Sequence, residues 1–137
     1  MLILDRLFLL KIATTNVLKV RVLNSIYLSK KVKIEAVWVL SNAVAQATQL
    51  QKAFLHEKGV LDCFISFLGS SDKGILKLVL EGILNFVKGG EIPGQGKDEN
   101  PFKRYLEENY GFDIIIKLQK NNDENVSKLA KEIINTL

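Results

Sequence analysis

Apolar residues recur every three or four positions through most of the chain, and that period predicts helices. In "LDCFISFLGS" they fall at Leu61, Phe64, Ile65 and Leu68, one face of a helix. In "SSDKGILKLVLEGILNFV" they fall at Ile75, Leu78, Val79, Ile83 and Phe86, behind Ser71 and Asp72, which suit an N-cap. The last stretch, "NVSKLAKEIINTL", sets Lys128, Lys131 and Glu132 among its apolar positions, so it reads as a terminal helix with one wet face. Strand-like alternation is confined to Lys19 to Leu23, which makes sheet improbable. The stretch "KIEAVWVLSNAVAQAT", from Lys33 to Thr48, is the most unusual helix, because it sets Trp38 and Asn42 one turn apart in small apolar surroundings.

A wheel at about 100° per residue separates two sides of that helix. With Glu35 at zero, Trp38 falls at about 300° and Asn42 at about 340°. Val37, Leu40, Ser41 and Val44 lie opposite, on the side expected to meet the core. Glu35, Trp38 and Asn42 therefore share one stripe. An asparagine amide both donates and accepts, so it can pair with the backbone of an extended peptide. A tryptophan face can hold the stem and charge of a lysine or arginine, and a carboxylate one turn away can take the charged head. The alternative is a tryptophan packed in the core and an asparagine capping a neighbouring turn.

The pattern repeats. "EAVWVLSN" and "LVLEGILN" align with Asn42 on Asn85, Leu40 on Ile83 and Trp38 on Glu81, 43 positions apart. "GVLDCFISFLGSSDKGILKLVLEGI" aligns with "YGFDIIIKLQKNNDENVSKLAKEII" at 51 positions, with Asp62 on Asp113, Asp72 on Asp123 and Glu81 on Glu132. The extra eight fit an insertion in the loop "KGGEIPGQGKDENP". A period of about 43 residues lies in the armadillo/HEAT range, two or three helices per unit. The expectation is an all-α, right-handed armadillo-repeat solenoid of about three units, at 10–48, 49–90 and 100–137 with a loop at 89–100, forming the C-terminal end of a longer array. Each unit is expected to carry a shorter helix, then a longer one lining the inner surface.

Composition narrows the function classes. The 137 residues are 47% hydrophobic and 25% charged, enough for a folded core. A net charge of +4, without a basic stripe interleaved with aromatics, makes no case for nucleic acid. The segment "MLILDRLFLLKIA" is broken by Asp5 and Arg6 and is too short for a membrane span, so it reads as an amphipathic helix or the edge of a longer protein. The single cysteine, Cys63, allows no internal disulfide and fits a buried apolar position in a reducing compartment. His56, the one histidine, lies in the polar stretch "HEKG" with no metal-ligand partner at usable spacing. "GGEIPGQGK" fails the phosphate-loop pattern, with Glu91 and Asp98 where glycine and serine or threonine are needed. The sequon at Asn125 lacks a secretory context, and "KKVK" at Lys30 to Lys33 reads as the solvated entry to the tryptophan helix. No nucleophile–base pair emerges and no cofactor is expected, so the chain does not read as an enzyme.

On these words the sequence resembles importin alpha, the armadillo-repeat adaptor of nuclear import, from about residue 30 to 137. "KIEAVWVLSNAVAQAT" resembles the inner helix of the eighth repeat with its Trp-x-x-x-Asn motif. "EKGVLDCFISFL", "LVLEGILNFVKGGE" and "NPFKRYLEENYGFDIIIKLQKNNDENVSKLAKEII" resemble the segments that follow, in order. The resemblance implies a groove for basic nuclear localisation signals in cytoplasm and nucleus. Glu35, Trp38, Asn42 and Asn85 would contribute to its C-terminal, minor site, and Glu81 stands where a tryptophan would be. It also implies that the last repeats are the region toward the recycling exportin. Importin beta is not an expected partner, because the basic segment that binds it has no counterpart here, and neither do the repeats of the major site. A scaffold role using only the C-terminal surface around Tyr105 to Asn109 is the competing reading.

Overall fold

The computed structural model describes residues 29–88 and 100–137, which form seven helices and no strand. They are α1 (Lys30–Gln46), α2 (Gln49–Glu57), α3 (Val60–Phe67), α4 (Lys73–Val87), α5 (Pro101–Glu108), α6 (Gly111–Leu118) and α7 (Glu124–Thr136). Residues 10–28 of the expected first unit, the opening segment and most of the 89–100 loop lie outside the described residues. Two short helices precede each of α4 and α7. The single shorter helix expected from the pattern is therefore a pair.

The break within each pair sits at matching positions of the 51-residue repeat. Gly59 has φ 89° and Tyr110 has φ 65°, both left-handed, and each opens the second helix of its pair. Glycine takes that conformation at no steric cost, whereas tyrosine holds its Cβ against the backbone.

Capping fixes the other starts. Thr48 Oγ1 accepts from Gln51 N at 3.2 Å while Gln51 Oε1 accepts from Thr48 N at 2.9 Å, a closed capping box. Asp72 Oδ1 accepts from Ile75 N at 3.0 Å, and Asp123 Oδ1 accepts from Asn125 N at 2.9 Å and Val126 N at 3.2 Å. Asn100 caps α5 ahead of Pro101, and its Nδ2 donates to Val87 O at 3.0 Å. One side chain thus ties the end of α4 to the start of α5. Lys52 and Lys103, also 51 positions apart, each donate to a carbonyl at the end of the long helix in their own unit, Lys88 O at 3.1 Å and Leu137 O at 3.2 Å. Cations at helix C-termini are favoured by the helix dipole.

Packing explains why α4 is apolar nearly all round. It lies against α1 on one flank and α7 on the other, with α3 behind. Ile75, Val79, Ile83 and Phe86 are buried as the period predicts, and so are Leu76, Leu80, Leu84 and Val87. Leu78 is only half-buried, because it lies on the one stripe left open. Gly82 is where α3 approaches most closely: a Cβ there would lie 2.4 Å from Cε2 of the buried Phe64. Phe64, Phe86 and Phe102 form a chain of rings, with centroids 6.0 and 5.2 Å apart, that carries the core from one unit into the next.

Candidate functional site

On α1 the two sides of the wheel separate as the spacing predicts. Val37, Leu40, Ser41 and Val44 are the buried residues. Opposite them, Glu35 is exposed, Asn42 is half-buried and Trp38 is 51% exposed. A core role for Trp38 is thereby excluded, and its ring lies open to solvent next to a carboxylate and an amide. Asn42 Nδ2 donates to Trp38 O at 2.9 Å, which orients the amide along the helix. The other amide N–H and the Oδ1 have no hydrogen-bond partner among the described residues.

The same stripe continues on the other two long helices. The open face of α4 runs Lys77, Leu78, Glu81 and Asn85. Its counterpart on α7 runs Lys128, Leu129, Glu132 and Thr136. By register, Trp38, Glu81 and Glu132 form one row, and Asn42, Asn85 and Thr136 form the next. Asn85 is half-buried, and its amide has no hydrogen-bond partner among the described residues. Among those residues Glu35, Glu81 and Glu132 enter no ion pair. The pairs present are Lys30–Asp72 at 2.8 Å and Lys77–Asp123 at 3.6 Å, each joining one long helix to the cap of the next. These bonds hold both cap carboxylates below the usual aspartate range: Lys30 and the Ile75 amide act on Asp72, while the Val126 amide and then Lys77 act on Asp123. The stripe therefore offers three unneutralised carboxylates, two side-chain amides and one open indole.

Elsewhere the structure places residues that the pattern left ambiguous. His56 belongs to α2. It closes α2 with its ring half-buried between Tyr105 and Phe102 of α5, both edge-on, at centroid distances of 4.5 and 5.7 Å. Its Nδ1 is buried with no hydrogen-bond partner among the described residues. Burial lowers its pKa, with Asp62 opposing. Tyr105 donates to Asp62 across the same joint, and its pKa is pushed up to about 12 by burial and then by that carboxylate. Cys63 is buried and its thiol is raised to about 12 by desolvation, then by Asp62, so it is inert as a nucleophile. No signal in the sequence marked His56 and Tyr105 as neighbours, since they sit in different units. Among the described residues no group of His, Cys, Asp or Glu is arranged to hold a metal ion, and no helix is long and apolar enough to cross a membrane.

Comparison with known proteins gives this geometry a context. No protein-family model matches the chain. It is 39% identical over 80 residues to probable importin subunit alpha-A of Dictyostelium discoideum, covering 58% of this chain and 14% of that protein. It is 32% identical over 106 residues to importin subunit alpha-8 of Arabidopsis thaliana, covering 76% of this chain and 24% of that protein. The chain thus spans less than a quarter of the length of these relatives. Among solved structures it is similar to a computationally designed armadillo repeat protein for modular peptide recognition, with TM-score 0.72 and 25% identity over 86% of this chain and 44% of that one. A designed armadillo repeat protein in complex with the peptide (KR)4 superposes with TM-score 0.71 at 23% identity, over 96% of this chain and 55% of that one. The fold is that of an armadillo-repeat solenoid, and the sequence likeness is to importin alpha subunits over part of their length.

Proposed function

From that likeness, we propose that this armadillo-repeat chain is a nuclear-import adaptor surface that binds basic localisation-signal peptides along the open stripe of α1 and α4. Its place of action is cytoplasm and nucleus, and it acts by binding, without catalysis. Trp38 receives the stem of a lysine or arginine, Glu35 takes the charged head, and Asn42 and Asn85 hold the peptide backbone. The observation that carries this reading is the half-exposed Trp38, held beside Asn42 on the face opposite the core. A folded protein gains by burying an indole, so one left open on a helix between a carboxylate and an amide is suited to a ligand. The likeness to a designed repeat protein in complex with an alternating Lys–Arg peptide supports the same ligand class.

The test is fluorescence anisotropy of a labelled lysine-rich peptide against the full chain and its Trp38→Ala variant. Loss of a partly desolvated cation–π contact of about 0.5–2 kcal/mol predicts binding weaker by about 2–30-fold. Because a single tryptophan slot is present, the parent interaction is weak and gains from several contacts made together. Equal affinity for both proteins overturns the assignment of Trp38.

The competing scaffold role would use the surface around Tyr105 to Asn109 toward an exportin. Glu107, Glu108 and Asn109 are exposed there, as is Tyr110 at 74%. Tyr105 itself packs on His56 and bonds Asp62, so substituting it disturbs the joint between units before it disturbs a partner. Trp38→Ala with unchanged peptide binding, together with loss of exportin binding on Glu107→Lys/Glu108→Lys, would favour this second role.

A further inference from the structure

One titratable ring sits inside the boundary between the second and third units. His56 of α2 meets Phe102 and Tyr105 of α5, both edge-on, at centroid distances of 5.7 and 4.5 Å. Its Nδ1 is buried and has no hydrogen-bond partner among the described residues. The 51-residue repeat sets the exposed Glu107 opposite His56, so this arrangement is not part of the repeating pattern.

Few charges face the ring. Asp62 of α3 is the carboxylate that acts on it, and Asp62 already accepts from the Tyr105 hydroxyl of α5. On α5, Lys103 is bonded to Leu137 O and Arg104 is exposed. On α2 itself, Lys52 is bonded to Lys88 O, Glu57 is exposed, and Lys58 Nζ lies 5.4 Å over the Phe54 ring. A neutral imidazole carries a proton on one nitrogen, whereas an imidazolium donates from both. Protonation of the closed joint therefore buries an N–H donor that has no acceptor among the described residues, in a slot where burial penalises the charge.

We propose that His56 makes this boundary a pH-sensitive latch: with the ring neutral, Tyr105 closes onto Asp62, and with the ring protonated the stretch from Tyr105 into α6 lifts off α2 and α3. The rest of the third unit stays in place. Asn100 Nδ2 on Val87 O and the buried Phe102 pin the start of α5. Lys77 on Asp123 and Lys73 Nζ on Asn121 Oδ1, at 2.9 Å, hold the start of α7 to α4. The part that moves contains Tyr110, whose φ of 65° is strained for a non-glycine residue, so opening also releases a turn held at some cost.

The direction and size follow from linkage. In the open joint the ring regains its ordinary pKa of about 6.5, and in the closed joint burial holds it lower. The open form therefore takes up the proton first as pH falls. Each pH unit between the two values multiplies the open population about tenfold, and the gain levels off once the closed joint titrates too.

The experiment is amide hydrogen exchange on the full chain at pH 7.5 and 5.5, one unit to either side of the ordinary histidine value of about 6.5. Rates are corrected for the intrinsic pH dependence of exchange. Protection in the second half of α5 and in α6 is expected to fall by up to about tenfold at the lower pH, while α4 and α7 lose less. His56→Phe keeps a ring in the slot and should abolish the difference. Asp62→Asn leaves Tyr105 an acceptor but removes the charge that favours imidazolium, so it should enlarge the difference; a purely structural role for Asp62 would shift both pH values alike. Circular dichroism checks that each variant is folded, and if His56→Phe is not, the regional loss in the parent and the response of Asp62→Asn decide. Equal loss of protection in every helix, a difference that survives His56→Phe, or one that Asp62→Asn leaves unchanged overturns the latch.

Discussion

Gly82→Ala puts the packing account under direct strain, because two opposing effects are of known size. Replacing a mid-helix glycine with alanine favours the helix by about 1 kcal/mol. Here the new Cβ would lie 2.4, 2.7 and 2.9 Å from three ring carbons of Phe64. Phe64 is fully buried and stacks edge-on to Phe86, which in turn meets Phe102, so the ring cannot swing away without moving the next unit. Overpacking of this kind costs about 1–3 kcal/mol, and the tightness of three contacts below 3 Å argues for the upper end. The net expectation is a loss of about 1–2 kcal/mol, or roughly 3–10 °C in Tm for a domain of this size. Thermal denaturation by circular dichroism reads it. Phe64→Leu in the same chain should relieve part of the loss, giving a non-additive double mutant. An alanine variant as stable as the parent, or more so, would refute the claim that Gly82 exists to let α3 approach α4.

Two further outcomes follow from the joint and the turn. His56 is held neutral by burial, so its folded pKa lies below that of the unfolded chain. The unfolded state then binds more protons as pH falls below about 6.5, and stability present at neutral pH declines from there through the lowered folded pKa. Urea midpoints measured at pH 7.5 and 5.0 should show that decline, and His56→Phe should reduce it. Tyr110 holds φ 65° at the position where the preceding unit has Gly59. Tyr110→Gly should therefore stabilise by about 0.5–1 kcal/mol, since the left-handed penalty outweighs the entropy of a glycine, and equal or lower stability in thermal melts would contradict it.

How much of this was legible before the structure depends on where each residue's partner lies. The back of α1 could be assigned from spacing because one helix face has one neighbour: Val37, Leu40, Ser41 and Val44 are buried together and Trp38 stands opposite. α4 resisted the same reading. A single period selects Ile75, Val79 and Ile83 but passes over Leu76, Leu80 and Leu84, which serve the second interface of a helix packed on both flanks. The split of the short helices was hidden because Tyr110 is not a residue expected at positive φ, although the repeat alignment set it opposite Gly59. His56 and Tyr105 could not be paired from sequence, since their contact depends on how α2 meets α5 across 49 residues of chain. The row of Trp38, Glu81 and Glu132 was visible in the repeat as aligned letters, of which Trp38 and Glu81 are exposed and Glu132 is half-buried.

The measurement closest to the central claim uses Trp38 as its own reporter, because it is the only tryptophan of the chain. Its emission should be that of a largely solvated indole in the free protein, given 51% exposure. Titration with a lysine-rich peptide should shift that emission to shorter wavelength or change its intensity in a saturable way, with the same midpoint as peptide anisotropy. An equally long peptide with glutamate in place of lysine should leave it unchanged. Saturable peptide binding with no response from Trp38 would contradict the account, because it would place the ligand somewhere other than the open stripe of α1.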